Sequence, residues 1–155
     1  MEPQDLRDLI QQTLQPIDLY SADAEELLVA TCANESHLGQ YRIQEGSGIA
    51  KGIFQEEGED FQDLFVNYLD GRSALYTQVA SLFESQPPDV NELLNNDKAA
   101  IAICRAHYLR SPGALPAAND IEAIWSYYKQ HYNTPVGAAT HDAFMACYKK
   151  YVLGT

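Results

Sequence analysis

The chain has 155 residues, a length that fits one domain with a sizeable core. An apolar share of 46% and ten tyrosines argue against a disordered segment, and no apolar run reaches the ~18–20 residues of a membrane span. The formal charge of −12, from 22 acids against 10 bases, argues against nucleic acid as a partner.

The start, Met1-Glu2-Pro3-Gln4-Asp5, is acidic and polar, unlike a Sec signal peptide. Leu6, Leu9, Ile10 and Leu14 recur at helical spacing until Pro16 interrupts them. Ser21 is placed to cap a second helix that runs to about Glu35. Counting back from Glu35, Leu28, Thr31 and Cys32 stand at i−7, i−4 and i−3, an inward-facing stripe. An acid in that phase is buried and raised in pKa, which suits it to donate a proton near neutral pH. The competing reading is a solvated acid at a helix end.

From Gly39 to Gly58 the pattern changes. Gly39, Gly46, Gly48, Gly52 and Gly58 interrupt short segments such as Tyr41-Arg42-Ile43, which predicts a short irregular or β-hairpin segment near residues 39–58, facing substrate. The acids Glu56-Glu57-Gly58-Glu59-Asp60 read as a solvated loop leading into a helix N-terminus, with metal ligation as the lesser alternative. Together with Glu45 they crowd carboxylates near Glu35, which would raise its pKa further and repel an anionic glycan.

Helical periodicity then returns. Phe61, Leu64, Phe65, Tyr68 and Leu69 form one stripe, and Leu75, Val79, Leu82 and Phe83 another. After Pro87-Pro88 a helix is expected from about Val90 to Leu109, whose apolar centre Ala99-Ala100-Ile101-Ala102-Ile103-Cys104 marks it as enclosed by others. Asn119 and Glu122 have capping-box spacing ahead of Ile121, Ile124, Trp125, Tyr128 and Tyr132 along one face, read as core rather than sugar platform. A final helix, about Thr140 to Val152, presents Phe144, Met145, Tyr148 and Val152.

Cys32, Cys104 and Cys147 are an odd number in apolar helical stretches and read as free buried thiols, with a Cys32–Cys104 or Cys104–Cys147 disulfide as the alternative. The four histidines, His37, His107, His131 and His141, lack zinc-site spacing, so neither metal nor cofactor is expected. Ser36 and His37 are adjacent on a helix and diverge, which excludes a nucleophile dyad.

Three patches recur in order: Glu35-Ser36 at a helix end, Gly52-Ile53-Phe54-Gln55 beginning 17 residues later, and Tyr132-Asn133. In this the chain resembles the lysozyme-like superfamily, specifically its soluble lytic transglycosylase and goose-type lysozyme branch. There a Glu-Ser ends a buried helix, a Gly-Leu-Met-Gln segment follows and a Tyr-Asn pair comes late. More narrowly it is similar to small phage-encoded lysozyme-like virion proteins with Glu-Ser-x-Leu-Gly and Tyr-Asn-Thr-Pro-x-Gly-x-x-Thr, here Tyr132 to Thr140.

The resemblance implies a single mainly α, lysozyme-like domain over residues 1–155 with a central buried helix. It implies Glu35 as the catalytic acid, then base, in cleaving peptidoglycan glycan strands, as a lytic transglycosylase or muramidase. Ser36, Gln55, Tyr132 and Asn133 would bind substrate, although Ser36 could instead cap its helix and Tyr132-Asn133 could simply end theirs. The protein would be made in the host cytoplasm, carried in the virion beside other virion proteins, and act in the host periplasm. The alternative from another class is a structural protein of the tail, neck or connector that keeps the fold with little or no activity. After Gln55 the family has an apolar residue and a proline, where this chain has Glu56-Glu57-Gly58.

Overall fold

Proline at the first helical position sets the opening of the chain, since its missing N–H is one that a helix start leaves unbonded anyway. The computed structural model describes residues 1–43, 48–134 and 137–155 and is mainly α-helical, with isolated β-bridges rather than strands among those residues. Helix α1 (Pro3–Leu14) buries Leu6, Ile10 and Leu14, and Pro16 turns its end into a 3₁₀ turn.

Helix α2 (Ala22–Ser36) is capped as expected, with the Ser21 hydroxyl accepting from the Ala24 N–H at 3.0 Å. Every residue from Ala24 to Ala33 is buried, so α2 is enclosed on all sides rather than amphipathic. Two of those residues are acids. Both bond Arg7 of α1, whose guanidinium lies 3.1 and 2.6 Å from the Glu25 and Glu26 carboxylates. Tyr20 and Tyr148 donate to the same carboxylates, so the buried charge is fully bonded.

Helix α3 (Gly58–Leu64) continues into wider π-helical turns over Phe65–Leu69, and α4 (Ser73–Ala80) follows. Glu59 and Asp60 occupy the first turn of α3, where the helix dipole favours acids. The single helix expected over Val90–Leu109 is instead two elements. A 3₁₀ turn (Val90–Leu94) ends at Asn95, and the Asn96 side chain accepts from the Ala99 N–H at 3.0 Å to start α5 (Asp97–Leu109) afresh. All residues from Ala99 to Ala106 are buried, and α5 packs against α1, α2, α3 and α4 as the centre of the core.

Helix α6 (Ile121–Tyr128) runs on through π-helical turns to Asn133. Its cap is Asp120, which accepts from the Ala123 N–H, and not Asn119; Glu122 bonds His141 instead of closing a capping box. Helix α7 (His141–Cys147), capped by Thr140, buries Phe144 against Trp125 and Tyr128. The three thiols are free. Cys32 and Cys104 are buried, while Cys147 is half-buried rather than internal. In the native protein one thiol equivalent should therefore react with a maleimide at neutral pH, and three only in denaturant. Mass spectrometry of the labelled chain checks this, and native labelling of Cys104 would contradict the packing.

Candidate active site

Immediately after α2 the chain turns sharply. His37, Leu38 and Gly39 all have positive φ, of 52°, 56° and 86°. Only the last suits its residue; each of the other two costs about 1–2 kcal/mol. The Ser36 hydroxyl holds this turn: it accepts from the Gly39 N–H at 2.9 Å and donates to the Ile53 carbonyl at 2.6 Å. Ser36 is 0% exposed, so the expectation that it binds substrate is corrected. Its polar atoms are consumed in tying the end of α2 to the next motif, which is the capping alternative in a stronger form.

That next motif is a tight turn. Lys51 and Glu56 exchange both backbone hydrogen bonds at 2.9 Å, which leaves Gly52-Ile53-Phe54-Gln55 as the loop between them. Ile53 and Phe54 point inward at 0% and 2% exposure and anchor it. Gln55 sits at φ 52°, and its amide nitrogen donates to the carbonyls of Tyr41 and Gly52 at 3.1 and 3.0 Å. A second bridge joins Lys51 to Ile43, so the segment is irregular with hairpin-like pairing rather than a hairpin of strands. Glu45 and Gly46 lie outside the described residues, as does Pro135 of the late motif.

The opposite wall comes from the end of α6. The Tyr132 hydroxyl donates to the Phe54 carbonyl at 2.6 Å, which clamps the wall to the Gly52–Gln55 turn. Asn133 Oδ1 accepts from Lys129 Nζ at 2.7 Å and from the Ala139 N–H at 3.3 Å, so its amide oxygen serves the local fold. A cleft of about 490 Å³ lies between these elements, and Glu35, Gln55, Tyr132 and Asn133 all line it. Of the five residues singled out in the sequence, four meet at this cleft and Ser36 lies beneath it.

Glu35 is half-buried on the cleft wall. Removal from water pushes its carboxyl up to about 7, and the nearby Glu57 and Glu56 add to the rise. A hydrogen bond from Tyr128 opposes it: the Tyr128 hydroxyl donates to Glu35 Oε1 at 2.6 Å and accepts from the Asn34 amide at 2.9 Å. The apolar spacing places Tyr128 only in the core and says nothing of this contact. A tyrosine at a core position needs a partner for its hydroxyl, and that is the signal that marks it.

Tyr128→Phe should therefore raise the Glu35 pKa above about 7, because the bond it removes favours the carboxylate. Carbon-13 NMR titration of the glutamate carboxyls reads this directly, and a fall in pKa would contradict the bond. The variant should also lose about 1–2 kcal/mol of stability, since the Asn34 amide loses its acceptor.

The acidic run is also partly corrected. Glu56 is 4% exposed and not solvated; its Oε1 lies 2.7 Å from Nε2 of His107 on α5. Glu57 and Asp60 are exposed on the cleft rim, and Asp63 there pairs with Arg110 at 2.8 Å. Among the described residues no group of three or more His, Cys, Asp or Glu side chains is arranged to hold a metal ion, and no helix is long and apolar enough to cross a membrane. Comparison with protein-family models, with curated proteins and with solved structures finds no match.

Proposed function

We propose that the protein is a glycan-cleaving enzyme of lytic transglycosylase or muramidase type, acting on peptidoglycan, with Glu35 as general acid. The observation that carries the reading is a carboxyl raised to about 7 on the wall of an open cleft, hydrogen-bonded to Tyr128 and facing space that Gln55 and Tyr132 also line. An acid half-protonated at neutral pH can give its proton to a glycosidic oxygen and then act as a carboxylate base. Two hydrogen bonds from its amide nitrogen to backbone carbonyls fix the Gln55 side chain, which leaves its oxygen to accept from a sugar hydroxyl. The ordered likeness to the lytic transglycosylase motifs supports peptidoglycan as the substrate, and the narrower likeness supports delivery in a phage particle to the host periplasm.

Incubation with purified peptidoglycan followed by mass spectrometry of soluble products tests this. Disaccharide-peptide fragments are the expected result; intact sacculi after exhaustive incubation between pH 4 and 8 would reject it.

One observation favours a second reading. Glu57 and Asp60 leave acidic charge on the rim, which disfavours an anionic wall. In that reading the protein is a tail, neck or connector component that keeps the fold without turnover. Stoichiometric presence in particles together with inert sacculi is its signature.

A further inference from the structure

The arginines of this acidic chain are of two kinds. Arg7, Arg42 and Arg110 each hold a carboxylate, at 2.6, 2.6 and 2.8 Å. Arg72 and Arg105 have no carboxylate partner among the described residues. Arg72 donates to the Tyr68 carbonyl at 2.6 Å, and Arg105 Nε donates to the Leu19 carbonyl at 3.0 Å. Arg105 is the anomaly, because it is only 9% exposed on the central helix α5. Burial pulls its proton affinity down, and the described groups that oppose this are Tyr127, Cys104 and Tyr68, not an acid. A buried guanidinium without an anion is costly, and a leucine or methionine would fill the position without that cost. Holding Leu19 uses one of its five N–H donors. Its two terminal nitrogens bond no described residue, and no unbonded side-chain nitrogen there is sealed from water, so both open at the surface.

Tyr68 links this cation to two more. The guanidinium carbons of Arg72 and Arg110 lie over its ring, 4.1 and 5.9 Å from the centroid. Its hydroxyl has no hydrogen-bond partner among the described residues. Three arginines therefore gather at one tyrosine in a chain of formal charge −12, and the carboxylate that pairs with them there is Asp63, on Arg110. Cations held together repel one another, and an arriving anion relieves that repulsion.

We propose that Arg105, with Tyr68 and Arg72, forms a binding site for an oxyanion, the carboxylate or phosphate group of a ligand, seated on the guanidinium fork. A planar fork donates to two oxygens at once. The bond to the Leu19 carbonyl fixes the plane of the fork, and the Tyr68 hydroxyl is free to donate a third bond. Arg72 adds charge from the exposed side. Arg110 borders both this patch and the candidate active-site cleft, so a ligand held here sits beside the cleft and not in it. The site does not depend on Glu35 and stands whether or not the cleft cleaves glycan.

Nitrogen-15 NMR of the arginine Nε–H groups at pH 6 tests this, with sodium acetate or sodium phosphate exchanged for sodium chloride at constant ionic strength. The Arg105 Nε–H should shift saturably at millimolar acetate or phosphate, while those of Arg7 and Arg42, already paired, stay still. The tighter of the two probes identifies the group that the site takes. Arg105→Lys keeps the charge without the fork and should weaken binding roughly 10-fold or more. Tyr68→Phe should weaken it about fivefold, the loss of one hydrogen bond. If Arg105→Lys fails to fold, wild type with Tyr68→Phe and the exposed Arg72→Ala still decides the matter. Small linear shifts of equal size at every arginine in acetate, phosphate and chloride would overturn the proposal, because they mark a charged surface rather than a site. So would an affinity unchanged by Arg105→Lys, or unchanged by both Tyr68→Phe and Arg72→Ala.

Discussion

Replacing Glu35 with glutamine should make the protein more stable at pH 8 by about 2–3 kcal/mol, with no gain at pH 4. The carboxyl has an unfolded value near 4.5 and a folded value of about 7. Below 4.5 it is protonated in both states and contributes nothing. As pH rises from 4.5 to 7 the unfolded chain ionises first, and stability is lost across that window. Above 7 the folded state carries an ionised acid in a partly dry site, where each tenfold change in proton affinity is worth about 1.36 kcal/mol. Glutamine keeps an oxygen for the Tyr128 hydroxyl and discards the charge. Urea unfolding of the two proteins at pH 4 and pH 8 reads the difference. Equal stabilities at both values would mean that Glu35 titrates like a surface acid. The same substitution should reduce glycan cleavage by roughly 10²–10⁴-fold, the range for a lost general acid. Stability gained where activity is lost is the signature of a residue kept for chemistry rather than folding.

Gly52→Ala is the other large effect. Gly52 has φ 81°, and a Cβ placed there would lie 2.5 Å from the Leu93 carbonyl oxygen, well inside van der Waals contact. The obstacle is backbone, so no rotamer relieves it. Strain at positive φ costs about 1–2 kcal/mol, and displacing the turn from Leu93 adds to that, for a total of about 3 kcal/mol or more. The loss propagates to the cleft. The Gly52 N–H bonds the Arg42 carbonyl at 2.6 Å, and Arg42 in turn grips Asp97 of α5 at 2.6 Å. Moving Gly52 moves Gln55 and the carbonyls that Ser36 and Tyr132 hold. Thermal melting should show the destabilisation; an unchanged midpoint would contradict the close approach to Leu93. Gly58→Ala is the internal control, because a Cβ there meets nothing within 4 Å.

The helices are legible in the sequence wherever burial follows a single period. Leu6, Ile10 and Leu14 face the core, and the stripe from Ile121 to Tyr132 joins it. Breaks set by one side-chain hydrogen bond are not: Asn96 and Asp120 start helices that apolar spacing alone places elsewhere. Glu35 stands out through the phase of Leu28 and Cys32, yet α2 is buried on every face, so phase alone does not single out one direction. What brings Glu35 to the cleft is the left-handed turn that ends the helix beside it, and only Gly39 signals that turn. The roles of Ser36, Asn34 and Glu56 depend on partners 17, 94 and 51 residues away, at Ile53, Tyr128 and His107, and no local pattern reports those distances. Glu25 and Glu26 carry the same lesson: acids inside an apolar helix are buried here by an arginine on another helix, not by chemistry.

The central claim is that Glu35 donates the proton that breaks a glycosidic bond. Release of soluble muropeptides from purified sacculi, measured for wild type and Glu35→Gln over pH 5 to 9, tests it most directly. Wild type should release fragments, with a rate that falls as pH rises through about 7 and Glu35 loses its proton, and Glu35→Gln should release next to none. Equal release by the two proteins between pH 5 and 6, where Glu35 holds its proton, would contradict the account.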